Sequence, residues 1–168
     1  MLTQTRLAEI VAAAREADIT VATAESLTGG LLAATLVQVP GSSAMLQGGI
    51  IAYQNSIKER LLGVSASLLE TQGAVDPQVA CAMALGACSA AGARVGISTT
   101  GVAGPEPHQG KEVGHVYLGV AFDGEAKSYE YHFLGDREMI RMQATQEAIS
   151  LLEQVINAAR EQKLSSNS

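Results

Sequence analysis

Short runs of β-branched and small apolar residues are each handed into a Gly-, Ser- or Thr-rich turn and then into an Ala- and Leu-rich segment of helical period. Repeated along one chain, this alternation restricts the fold to interleaved α/β architectures. Residues 2–17 carry Leu7, Ile10, Val11 and Ala14 at the spacing of an amphipathic helix, and 19–24 form the first strand. A helix through about residue 37 ends at Pro40-Gly41, residues 48–53 form a second strand, and 56–62 and 65–72 form short helices. Asp76-Pro77 opens a further helix to residue 91, with Asp as N-cap and Pro at the first position. Residues 94–100 are a strand, and 113–122 and 127–133 pair as a hairpin across Asp123-Gly124. A last helix runs from about 136 to 161. The expected fold is a three-layer α/β/α sandwich on a mixed, mostly parallel sheet of about five strands. Residues 1–162 form one domain, and 163–168 a frayed, disordered polar tail.

At 168 residues, with 47% hydrophobic and 17% charged residues, the chain has the composition of a compact domain rather than a disordered segment. The net charge of -6 and 4% aromatics exclude a nucleic-acid partner, which needs a basic footprint and stacking platforms. No run approaches the 18 or so apolar residues that span a bilayer, and the charges of residues 1–18 exclude a signal-peptide core. Cys81 and Cys88 lie two turns apart on one helix, about 10 Å of rise, too far for a disulfide. They read as small apolar residues of a cytoplasmic protein.

Ligands of open α/β sheets collect where strands pass into helix N-termini. Three segments qualify: Ser26-Leu27-Thr28-Gly29-Gly30, Pro40-Gly41-Ser42-Ser43, and Thr100-Gly101-Val102-Ala103-Gly104-Pro105. The first equally fits a capping Ser with Gly for close packing, and the second an ordinary loop. Lys58 falls near the start of a helix, where the macrodipole opposes its charge. Desolvated there, it could serve as base to a Ser hydroxyl; exposed, it would pair with Glu59 or Glu70. Arg137 and Arg141, on the last helix, could hold a phosphate or remain solvated. His108, His115 and His132 lack helical metal-ligand spacing and neighbouring Cys or clustered carboxylates, so no metal site is expected. His115 and His132 are instead cross-strand neighbours in the hairpin. No P-loop and no Gly-x-Gly-x-x-Gly is present.

The ordered blocks Ala24-Glu25-Ser26-Leu27-Thr28-Gly29-Gly30, Pro40-Gly41-Ser42-Ser43, Gly48 to Lys58, Gly73-Ala74-Val75, Thr100 to Pro105, Val113-Gly114, and Gly135-Asp136-Arg137 with Arg141 and Gln143-Ala144-Thr145 resemble the CinA C-terminal domain family. The characterised activity of that family is nicotinamide-nucleotide amidohydrolase. The resemblance implies hydrolysis of the carboxamide of nicotinamide mononucleotide to nicotinic acid mononucleotide and ammonia, without metal or organic cofactor. It implies a Ser-Lys site: Lys58 as base, Ser26 as nucleophile with Ser43 as competitor, and Tyr53 in the proton network. Thr28, Gly29, Gly30, Ser42, Thr100, Gly101 and Gly104 would bind substrate, and Arg141 its phosphate. A non-catalytic nucleotide-binding paralogue is the alternative.

Two positions depart from the family pattern. Asp76 replaces a common Ser, a change of helix cap. The loop Glu106-Pro107-His108-Gln109-Gly110 replaces a Gly pair and could alter substrate reach. The chain is expected to be the stand-alone form of the family, cytoplasmic, and a homodimer or larger homo-oligomer.

Overall fold

A computed structural model describes residues 2–166. Helix α1 spans Gln4–Glu16, and Thr3 caps it by accepting from the Arg6 amide. Strand β1 (Val21–Glu25) leads to α2 (Leu31–Leu36), a 3-10 turn at Ser42–Ala44, and β2 (Leu46–Ile51). Helices α3 (Asn55–Leu62), α4 (Ala66–Gln72) and α5 (Pro77–Ala91) follow, then β3 (Val95–Gly101), β4 (His115–Phe122), β5 (Glu125–His132) and α6 (Arg137–Ser166). The expected cap at Asp76 is present: its side chain accepts from Gln78 and Val79 amides ahead of Pro77.

The sheet order is β2-β1-β3-β4-β5. Strand β1 pairs parallel with β2 and β3, whereas β3-β4 and β4-β5 are antiparallel. Four of the five strands therefore point the same way and only β4 runs against them. The β4-β5 turn has positive φ at both Asp123 (47°) and Gly124 (89°), the primed geometry that matches strand twist.

Alternation along the strands gives the two faces different characters. Val21, Val95, Ile97, Val116, Leu118 and Val120 pack with α1, α2 and α6 in the larger core. The opposite face is built of Ala22, Ala24, Gly96, Ser98, Gly119 and Ala121, and α5 settles onto it backbone to backbone. A Cβ on Gly96 would lie 2.0 Å from Ala84 O, and one on Gly119 2.2 Å from Ala80 O. Ser98 Oγ donates to that same Ala80 carbonyl at 2.6 Å. The aromatic-poor composition thus corresponds to helices seated close against small residues.

Residues 163–166, expected as a frayed tail, continue α6 to Ser166. Ser165 and Ser166 hydroxyls donate to Glu161 and Gln162 carbonyls, and Lys163 reaches Glu16 O and Asp18, fastening the last turns to the end of α1. The expectation for residues 167–168 lies outside the described residues. Among those described, no helix is long and apolar enough to cross a membrane. Cys81 and Cys88 are half-buried free thiols.

Candidate active site

The parallel strands β1, β2 and β3 all end on one edge of the sheet, and each delivers its following loop there. Register places Glu25 opposite both Ile51 and Thr99, so Ser26, the Ala52-Tyr53-Gln54 turn and the loop after Gly101 converge. Between them lies a cleft of about 550 Å³, lined by Ser26, Tyr53, Lys58, Thr100, the loop from Gly101 to Gln109, and Arg137. That volume suits a small-molecule ligand.

Lys58 is 1% exposed. Its Nζ donates to Ser26 Oγ at 3.1 Å, Ala52 O at 2.7 Å and Tyr53 O at 3.2 Å. Among the described residues it forms no ion pair with Glu59 or Glu70. Burial lowers its pKa from 10.5 to about 8. A neutral amine keeps two N–H groups, which the two carbonyls can accept, leaving its lone pair toward Ser26. The surroundings therefore accommodate Lys58 as the acceptor of the Ser26 proton.

The residues expected around this pair divide. Tyr53 orients Lys58 through its carbonyl; its phenol points elsewhere and accepts from Arg137 Nη2 at 3.1 Å. Thr100 and Gly101 line the cleft, and Thr100 Oγ1 is held by Ala74 O at 2.7 Å. Gly104, at φ 88°, offers its carbonyl to Arg137 Nη1 at 2.7 Å. Ser42 and Ser43 do not join them. They precede β2, and the site follows its other end, across a strand of 6 residues or about 20 Å. Ser42 Oγ is instead engaged by the carbonyls of Leu36 and Val39.

Thr28, Gly29 and Gly30 serve a different anion from the one expected. The Glu25 carboxylate is 1% exposed and occupies the N-terminus of α2 itself. It accepts from Thr28 Oγ1 (2.7 Å), Gly30 N (2.9 Å), Leu32 N (3.0 Å) and Ala33 N (2.9 Å). Positive φ at Gly29 (59°) and Gly30 (99°) lets the chain wrap around it. An internal carboxylate thus takes the Thr28 hydroxyl and the Gly30 amide, while the Gly29 amide closes the turn onto Ser26 O.

Arg141 is likewise structural in its contacts. Its Nε and Nη2 donate to Leu27 O (2.9 Å) and Thr28 O (3.0 Å), clamping the Ser26 turn to α6. Arg137, one turn earlier and exposed, is the arginine on the cleft.

Away from this pair, His108 lines the cleft and its backbone forms a bridge with Lys111. His115 and His132 are direct cross-strand partners, and with Glu130 they bring three ligand atoms within 4.8 Å of one another. No local spacing announces that group, because strand pairing assembles it.

Comparison with known proteins places this geometry in context. The profile of the CinA C-terminal domain matches residues 3–156. A CinA-like protein of Frankia casuarinae is 44% identical over 137 residues, covering 82% of this chain and 32% of that protein. The chain spans about a third of the length of the curated relatives it matches. Among solved structures, the competence/damage inducible protein CihA of Agrobacterium tumefaciens superposes with a TM-score of 0.85 at 34% identity, covering 92% of this chain and 94% of that one. A CinA superfamily protein of Klebsiella pneumoniae gives 0.88 at 30% identity, covering 94% and 99%.

Proposed function

The chain belongs to the CinA C-terminal domain family, and from that premise we propose that it hydrolyses the carboxamide of nicotinamide mononucleotide, with Ser26 as nucleophile and Lys58 as base. The observation that carries the reading is the buried Lys58 Nζ, 3.1 Å from Ser26 Oγ, with its pKa lowered to about 8.

Neutral Lys58 takes the Ser26 proton as Oγ attacks the amide carbon. The tetrahedral oxyanion is met by backbone amides of the surrounding turns. Thr99 O already takes the Ser26 amide at 2.9 Å, which leaves that role to Leu27 and to the Ala103-Gly104 loop. Protonated Lys58 then gives its proton to the leaving nitrogen, and ammonia departs. Water, deprotonated by the same lysine, hydrolyses the acyl-Ser26 ester and releases nicotinic acid mononucleotide. No step in this sequence calls for a metal or organic cofactor. Arg137, which lines the cleft, meets the substrate phosphate in place of Arg141, which is turned to the Leu27 and Thr28 carbonyls.

The test is ammonia release from nicotinamide mononucleotide by the purified chain in chelator, with nicotinic acid mononucleotide identified as product. Ser26→Ala and Lys58→Ala are each expected to lower kcat at least about 10³-fold while circular dichroism stays unchanged. Turnover undiminished in either variant contradicts the Ser-Lys assignment. Tight mononucleotide binding by calorimetry with no ammonia from the wild type selects the non-catalytic paralogue.

A further inference from the structure

The hairpin β4-β5 carries a cluster that the amidase chemistry does not use. His115 faces His132 directly across the ladder, and Tyr117 faces Glu130. With two-residue alternation, all four side chains stand on one face of the sheet. His115 Nε2 lies 2.7 Å and His132 Nε2 3.5 Å from the same oxygen, Glu130 Oε1, and Tyr117 OH donates to that oxygen at 3.0 Å. The two imidazole rings are stacked at 4.4 Å.

We propose that His115, Glu130 and His132 form a binding site for a divalent first-row transition metal ion of the zinc type.

Two imidazoles and one carboxylate are the donor set such ions prefer over magnesium or calcium. Tetrahedral zinc, bound at about 2.0–2.1 Å, holds its ligand atoms about 3.3–3.5 Å apart. The His132–Glu130 separation of 3.5 Å already matches, and the 2.7 Å His115–Glu130 contact opens by a small rotation of the half-exposed Glu130. Tyr117, donating to Glu130, orients the carboxylate. His115 is nearly buried, whereas Glu130 and His132 face solvent, so an ion enters from the sheet edge and retains one water-bearing position.

The location gives the ion a mechanical consequence. Val102 N donates to His115 O, Gly114 N to Val102 O, and Phe133 N to Gly114 O. These bonds pin the two ends of the 102–114 loop, whose first half lines the cleft, to the strands that carry the ligands. Metal binding would tie the start of β4 to the end of β5 and stiffen the base of that loop.

The experiment uses the tag-free full chain, stripped with chelator, desalted and titrated with zinc chloride by calorimetry, with metal content measured after dialysis. One zinc per chain and a zinc-dependent rise in Tm are expected. His132→Gln and Glu130→Gln should each weaken zinc affinity at least about tenfold, with their Tm in chelator close to that of the wild type. His108→Ala and Cys81→Ser should leave affinity unchanged. Absence of saturable binding overturns the site, as does binding that survives both ligand substitutions or disappears with His108→Ala. Should His132→Gln fail to fold, the exposed Glu130→Gln decides alone. Binding is read without turnover, so its outcome is independent of the amidase reading.

Discussion

Lys58 is held where water is excluded, and the free energy of that placement depends on pH. Its pKa falls from 10.5 to about 8 through desolvation, which corresponds to about 3 kcal/mol. Below pH 8 both folded and unfolded chains carry the proton, and the folded state bears the whole penalty. Between 8 and 10.5 the unfolded chain binds the proton that the folded chain has released, so this contribution to stability rises with pH. Urea denaturation of wild type and Lys58→Met should therefore show the difference moving in favour of the wild type by about 3 kcal/mol between pH 8 and 10.5; a flat difference contradicts the burial of a titrating amine. For the proposed reaction, the same neutral amine makes kcat/KM climb with pH through about 8. Glu25 next door offers a second test. Replacing it with Gln sets an NH₂ group among buried donors from Thr28, Gly30, Leu32 and Ala33. Glu25→Gln is expected to lose about 1–3 kcal/mol of stability in the same assay.

The strands show how far local pattern carries an element and where it stops. Alternation of branched and small residues is visible in Val95-Gly96-Ile97-Ser98 and Leu118-Gly119-Val120-Ala121 and identifies the strands and the Asp123-Gly124 hairpin. That the small face receives α5 at backbone distance is a property of the packed pair. Gly119→Ala, pressed against Ala80 O and Ser98 Oγ, should cost about 1–3 kcal/mol. Gly48→Ala, with nothing within 4 Å of its added Cβ, should stay within about 0.5 kcal/mol of wild type. Equal losses in thermal denaturation of the two would refute the close-packed face. The end of α6 teaches a related lesson. Its polar residues read as frayed because nothing local holds them, and their support comes from Glu16 and Asp18, about 145 residues away in sequence.

Across the whole molecule, α6 binds the site together through two arginines with different partners. Arg141 clamps Leu27 O and Thr28 O behind Ser26, whereas Arg137 bridges Tyr53 OH and Gly104 O on the cleft rim. Under the proposed chemistry, Arg137→Ala should raise KM for the mononucleotide about tenfold or more with kcat nearly retained. Arg141→Ala should lower kcat with little change in KM, because it loosens the nucleophile turn; steady-state kinetics of the two variants separate the roles, and identical profiles would refute the division. Local sequence by itself determined the alternation of elements, the Asp76 cap, the Asp123-Gly124 turn, and the candidacy of Ser26 and Lys58, since each depends on neighbours within a few residues. Only the tertiary structure set Ser26 rather than Ser43 beside Lys58, Arg137 rather than Arg141 on the cleft, and the Glu25 carboxylate at the N-terminus of α2. It also gathered His115, Glu130 and His132. Those outcomes rest on the order β2-β1-β3-β4-β5 and on which groups distant segments bring within reach of one another. Hydrogen-bonding groups within reach of one another compete for partners, and that competition is settled only when the chain has closed in three dimensions.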